Sequence, residues 1–147
     1  MGVTPFHKYV KTEGNKGGGI MLHEKQPVAL QIGRVLLGIY FLLPGISKFA
    51  DWQRHIELMQ HHDIGFTAPL LAVAGVANII LGVLLIANRQ VLFAAYASVL
   101  YVLIINFSLH DFWNFTGVEG QHETQNFVKN LAILAGLLVL AGQAHRR

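Results

Sequence analysis

The residues best suited to chemistry lie in Asn106 to Trp113, NFSLHDFW. The stretch closes a long apolar run and turns abruptly polar and aromatic. On a helix, Asn106, His110 and Trp113 share one face at i, i+4 and i+7, and Asp111 lies on the neighbouring face. An imidazole beside a carboxylate at the edge of a low-dielectric phase has three uses. It can move a proton, hold a ligand by hydrogen bonds, or pair with another charge.

Other polar residues sit where the chain is otherwise apolar, and each needs a reason to be there. Arg34, Gly38, Phe41, Gly45 and Lys48 form one helical stripe, with the two cations ~21 Å apart along the axis. The glycines make the stripe a groove that a helix or a flat ligand can approach. The alternative for the cations is that each snorkels to its own interface. Gly75, Asn78 and Gly82 share a face, and an interhelical hydrogen bond is the commoner use of such an Asn. Asn126, Lys129 and Asn130 share another face.

The elements that must position these residues follow from composition. The chain has 147 residues, 53% apolar and 13% charged, with a mean hydropathy of +0.46. That balance belongs to a membrane protein. There is no cysteine, which excludes disulfides, thiolate zinc sites and protein-ligated iron–sulfur clusters. A net charge of +3, spread along the chain, gives no sign of nucleic-acid binding.

Four apolar runs are predicted to span the bilayer: 28–49, 67–87, 91–111 and 127–142. They imply an all-α fold, a four-helix transmembrane bundle. Pro27 suits a helix start, and Pro44 should kink the first span or end its regular part. Residues 1–26 are polar and glycine-rich and read as a flexible cytoplasmic tail, ahead of a membrane domain over 27–147. No apolar stretch follows the first charges, so no signal peptide is expected, and Met21 offers a second start. Lys8, Lys11, Lys16, Lys25, Arg89, Arg146 and Arg147 lie on one side of the membrane, against Lys48, Arg54 and Lys129 on the other. Seven against three predicts both termini in the cytoplasm, in a bacterial-type inner membrane.

Trp52, Ile56 and Met59 fall at i, i+4 and i+7, so residues 51–62 are expected to form a short amphipathic surface helix. NFTGVEGQHETQ, with two glycines, is expected to be a true loop. A bundle would gather Lys48, His110, Asp111, Lys129 and Asn130 at the outer face, ringed by Trp52, Phe112, Trp113 and Phe115. Lys129, near the start of the fourth span, would add to the positive field. Such a cluster is either a site for a small anion or quinone head group, or a structural tether in which Asp111 neutralises a lysine.

RVLLGIYFLLPGISKF (Arg34 to Phe49), GVANIILGVLL, HDFW (His110 to Trp113) and FVKNLAILAGLL (Phe127 to Leu138), in this order, resemble the DoxX family of small four-helix membrane proteins. The resemblance covers about residues 28 to 142. It implies kinship with the membrane part of an archaeal thiosulfate:quinone oxidoreductase. Many members of that family carry a Glu where this chain has Asn78.

Two functions follow. In the first, the chain is a membrane subunit of a quinone-linked redox system, with quinone in the glycine groove. Lys48 and Lys129 hold the anion or quinone oxygen, and His110, oriented by Asp111, passes the proton. Arg34, Trp52, Asn78, Asn106, Trp113 and Asn130 complete the candidate ligand-binding set. In the second, it is a non-catalytic module that binds lipid or a small ligand, transports, or assists assembly. Quinone is the one cofactor expected. Haem is not, because His110 is the only histidine within a span. A metal is not, because His55, His61, His62, His110 and Asp111 match no metal-binding template such as HExxH. The expected partners are the bilayer, a redox protein and a second copy of the chain.

Overall fold

A computed structural model describes residues 26–145. The expectations for the tail before Gln26, for the Met21 start and for Arg146 and Arg147 lie outside the described residues. Five helices form: α1 Val28–Ala50, α2 Trp52–His61, α3 Thr67–Ile86, α4 Val91–Leu109 and α5 Gly117–His145. A short 3-10 turn, Phe112–Asn114, lies between α4 and α5. Four of the helical segments are long and apolar enough to cross a membrane. The fold is the expected four-helix transmembrane bundle with a short helix between the first two spans.

The outward faces agree with a lipid solvent. Ile32, Leu36, Ile39, Leu43 and Ile46 make an exposed apolar stripe along α1. In water such a strip would be a liability; against acyl chains it costs nothing.

The spans pack as two pairs, α1 with α3 and α4 with α5, and the pairs meet less extensively. Glycine sets the first pairing. A Cβ on Gly82 would lie 2.7 Å from the Gly38 carbonyl oxygen and 2.7 Å from the Leu42 nitrogen. A Cβ on Gly45 would meet Asn78 and Ile79 at 2.9 Å, and one on Gly75 would meet the Phe49 ring. The glycine groove of α1 is therefore filled by α3, which corrects the expectation that it holds quinone. Matching glycines on both helices let backbone meet backbone, and dispersion rather than a ligand fills the contact. The second pair closes through Ala94, Ala95 and Val102 of α4 against Leu134, Leu137 and Ala141 of α5, in one core cluster with Phe41 and Leu85.

Two expectations about helix limits change. α1 runs through Pro44 to Ala50 without a break. α5 starts at Gly117, ten residues before the predicted span, so the predicted loop is its first turns. At 29 residues α5 is ~43 Å long and exceeds the ~30 Å hydrocarbon, so its polar beginning stands in the interface. Lys129 is consequently well inside a helix, not at its N-terminus, and the dipole contribution assigned to it falls away.

The connections show why the sequence turns where it does. After α3, Arg89 N–H donates to Leu84 O and Asn88 N–H to Leu85 O, a Schellman closure with Asn88 at φ 56°. After α2 the same closure forms from Ile64 N–H to Met59 O, with Asp63 at φ 53°. It folds Ile64 back onto Ile56, Met59 and Leu71, fixing α2 over the end of the bundle where α3 begins.

Because the Gly82 contact is with backbone, no rotamer change can relieve it. Gly82→Val should cost about 2 kcal/mol or more, as overpacking does. Gly142→Ala, whose Cβ meets nothing within 4 Å, should be near neutral. Equilibrium unfolding of both variants in detergent micelles would check the contrast.

Candidate functional site

The gap between the two helix pairs is a cleft of about 840 Å³. Tyr40, Pro44 and Lys48 of α1 line it, with Asn78 of α3, Tyr101 of α4, His110 just after α4, and Asn126, Lys129 and Asn130 of α5; His55 and Met59 of α2 cover one end. Its walls are otherwise apolar, including Leu71, Val102, Ile105 and Ile133. A large apolar cavity with a few convergent polar groups is the usual form of a small-molecule site.

Five of the predicted site residues, Lys48, Asn78, His110, Lys129 and Asn130, share this cleft. Asn106 lies behind its wall, 1% exposed. There the Tyr40 hydroxyl donates to Asn130 Oδ1 at 2.8 Å, Asn130 Nδ2 to Asn106 Oδ1 at 2.7 Å, and Asn106 Nδ2 to the Phe127 carbonyl at 3.2 Å. This chain ties α1, α4 and α5 together beside the cleft.

Arg34 is elsewhere. Its guanidinium donates to the Leu85 and Ile86 carbonyls, the latter at 2.9 Å. It brings a charged donor to the C-terminal carbonyls of α3, at the opposite end of the bundle. There it borders a second cleft of about 490 Å³ with Gln26, Gln90 and Gln143. Trp52 stacks on Phe49 and packs against the Ile56–Met59–Leu71 cluster. Trp113 is half exposed and meets Phe107, Phe112 and Phe127 edge-on or tilted, as an interfacial anchor would.

The histidine–carboxylate pairing differs from expectation. Asp111 does not orient His110. Its Oδ1 faces His62 Nδ1 at 2.7 Å, and its Oδ2 accepts from Asn114 Nδ2 at 2.6 Å. His110 Nδ1 instead lies 2.7 Å from Glu123 Oε2. The helix breaks after Leu109, so the two consecutive side chains leave the backbone in different directions. Neither lysine is neutralised by Asp111. Lys48 reaches only the Pro44 carbonyl, at 3.5 Å, and among the described residues neither Lys48 nor Lys129 has a carboxylate partner.

His62 and Glu123 are therefore the site residues that sequence reasoning missed. Glu123 had a signal: it precedes Asn126 and Asn130 by three and seven residues, one helical face, had the helix been extended upstream. The sequence groups His62 with Asp111 only as a metal-ligand candidate, and nothing in it pairs the two side chains across 49 residues. A surface pair, His61 with Glu119 at 2.6 Å, adds a weak tie between α2 and α5. Among the described residues no three His, Asp or Glu side chains converge to hold a metal ion.

Two buried polar atoms on the cleft wall, Asn78 Oδ1 and the Tyr101 hydroxyl, make no well-formed hydrogen bond among the described residues, although the Asn78 and Tyr101 side chains lie near enough to interact with each other. Asn78 is 3% exposed. A buried polar group left unpaired costs about 1–3 kcal/mol, so its retention calls for an explanation.

Four apolar helices enclosing a polar-mouthed cleft define a small multi-pass membrane protein with an internal cavity. A family model for DoxX matches residues 29–111, and the chain belongs to the DoxX family. The match takes in α1 to α4 and stops at Asp111, short of the 28–142 that the resemblance in sequence covered. No curated protein and no solved structure matches the chain.

Asn130 links two partners, so Asn130→Leu should cost about 1–2 kcal/mol, and Tyr40→Phe, which removes one link, about 1 kcal/mol or less. Unfolding in detergent would measure both. Equal losses would show that the Asn130–Asn106 bond carries nothing.

Proposed function

We propose that this DoxX-family protein binds a quinone, head group at the polar end of the 840 Å³ cleft, as the membrane subunit of a quinone-linked redox system. The observation that carries this reading is Lys48. It stands part-buried on the cleft wall without a carboxylate partner among the described residues, in the same cleft as Asn78 and Tyr101 with their unpaired polar atoms. An ammonium, an amide and a phenol offer donors to a carbonyl or anionic oxygen and an acceptor to a hydroxyl. The apolar walls suit a ring and tail. Lys129 at the same cleft adds positive charge, so a small anion is the other ligand this chemistry would take.

The cysteine-free sequence supplies no thiolate ligands for an iron–sulfur cluster, so electrons would pass between the bound quinone and a partner protein. The membrane would be the cytoplasmic one, with the Lys48–His110 end facing outward and both termini inside. The second reading, a non-catalytic lipid or ligand binder, draws on the Tyr40–Asn130–Asn106 chain. That chain is internally satisfied and holds the bundle whether or not anything turns over.

Native mass spectrometry with lipid extraction on detergent-purified protein tests the proposal. Wild type should retain quinone. Lys48→Ala should lose about tenfold or more in affinity, the worth of one charge-assisted bond. Quinone-free wild type that takes up none on addition would overturn it and leave the module.

A further inference from the structure

We propose that Glu123 positions His110 as a proton acceptor for a ligand hydroxyl in the outer cleft. This rests on the ligand-binding reading above and deepens it: the occupant would be a hydroxyl-bearing molecule, a phenol or hydroquinone in class, rather than one with carbonyls alone.

Glu123 is a carboxylate with only 8% of its surface exposed. Both of its oxygens face ring nitrogens: Oε2 meets His110 Nδ1 at 2.7 Å, and Oε1 meets His122 Nδ1 at 3.1 Å. An ionised carboxylate has only acceptors. His110 must then carry a proton on Nδ1 and donate it to Glu123. That fixes the neutral imidazole as the tautomer whose Nε2 holds the lone pair. Nε2 of His110 has no hydrogen-bond partner among the described residues, and the residue lines the cleft.

The division of labour is that of a base and the carboxylate behind it. The base meets the substrate, and the carboxylate holds the ring in one orientation and stabilises the imidazolium that forms. The step moves one proton and no electrons. A ligand O–H bond breaks, an Nε2–H bond forms, and an oxyanion and an imidazolium remain. The oxyanion is left in a cleft that Lys48 and Lys129 also line, and the imidazolium lies against Glu123. The other charged or titratable groups near His110 are His55 from α2, which lines the same cleft, and Asp111, which is occupied by His62. His122 is two-thirds exposed, so the buried carboxylate behind the imidazolium is linked through it to the outer solvent.

Two readouts in nanodiscs, neither needing turnover, test this. The first is the ¹⁵N spectrum of the histidine rings at mildly alkaline pH. In wild type, His110 should be a single Nδ1–H tautomer, and in Glu123→Ala a mixture of both; Glu123→Asp should restore the single form. The second uses a long-chain alkyl nitrophenol as probe, with total bound probe measured separately from phenolate absorbance. Glu123→Ala and His110→Gln should bind it but hold about tenfold less phenolate relative to phenol, one pKa unit's worth.

An unchanged tautomer in Glu123→Ala, or equal phenolate in all forms that bind the probe, would overturn the role of Glu123 and leave ligand binding standing. Wild type that binds neither the probe nor quinone would overturn the ligand reading, and this proposal with it. Should Glu123→Ala fail to fold, Glu123→Gln takes its place. It keeps the volume, but its neutral amide can either accept from Nδ1–H or donate to Nδ1 and cannot stabilise an imidazolium as a carboxylate does, so bound phenolate should still fall about tenfold; phenolate equal to wild type's would overturn the proposal.

Discussion

The close approach of α1 to α3 governs everything else in this bundle. In lipid there is no hydrophobic gain in bringing two apolar helices together, so contact must come from packing and polar bonds. Gly38 against Gly82, Gly45 under Asn78, and Gly75 under Phe49 give that packing along the helix axis. α4 and α5 pair through alanines and leucines instead. Two tight pairs that meet each other less extensively leave space between them, and the cleft is that space. The glycine stripe makes the cavity without lining it.

The polar residues divide according to what each must satisfy. Arg34 saturates the carbonyl end of α3, and the Tyr40–Asn130–Asn106 chain closes on itself and on the Phe127 carbonyl. Asp111 is spent on His62 and Asn114, tying the segment after α2 to the turn after α4. These groups have reasons to exist without a ligand. Lys48, Asn78, Tyr101 and His110 Nε2 do not reach such closure among the described residues, and all four residues face one cavity. The contrast between the two sets, rather than polarity in a membrane as such, separates scaffold from site.

The fold was legible because lipid imposes length and apolarity on every span, and hydropathy reads both directly. The surface helix α2 was legible for a related reason: Trp52, Ile56 and Met59 repeat at helical spacing, and Ile56 and Met59 are buried. The start of α5 was not. Gly117 and Gly120 look like loop residues, but only Gly117 turns the chain, at φ 63°. Gly120 is inside the helix because a Cβ there would lie 2.7 Å from the Phe115 carbonyl oxygen. One glycine marks a turn and the other a close approach, and composition alone cannot tell them apart. The site suffered for the same cause. His110 beside Asp111 in sequence invites pairing, yet the helix end between Leu109 and the 3-10 turn sends the two side chains to different elements.

That exchange of partners changes what the cluster can do. Had Asp111 faced a lysine, one of the two ammonium groups would have been neutralised within the cluster. With Asp111 and Glu123 both committed to histidines, the cleft keeps its ammonium groups and one imidazole nitrogen. The residues within the DoxX match, 29–111, supply Lys48, Asn78, Tyr101 and His110. α5, beyond it, supplies Glu123, Lys129 and Asn130. The cavity is thus assembled from both helix pairs, and the carboxylate behind His110 comes from the helix that the family match does not reach. Any chemistry at His110 would then depend on how α5 begins, because the same early start that carries Glu123 into a helix also aims it at the imidazole.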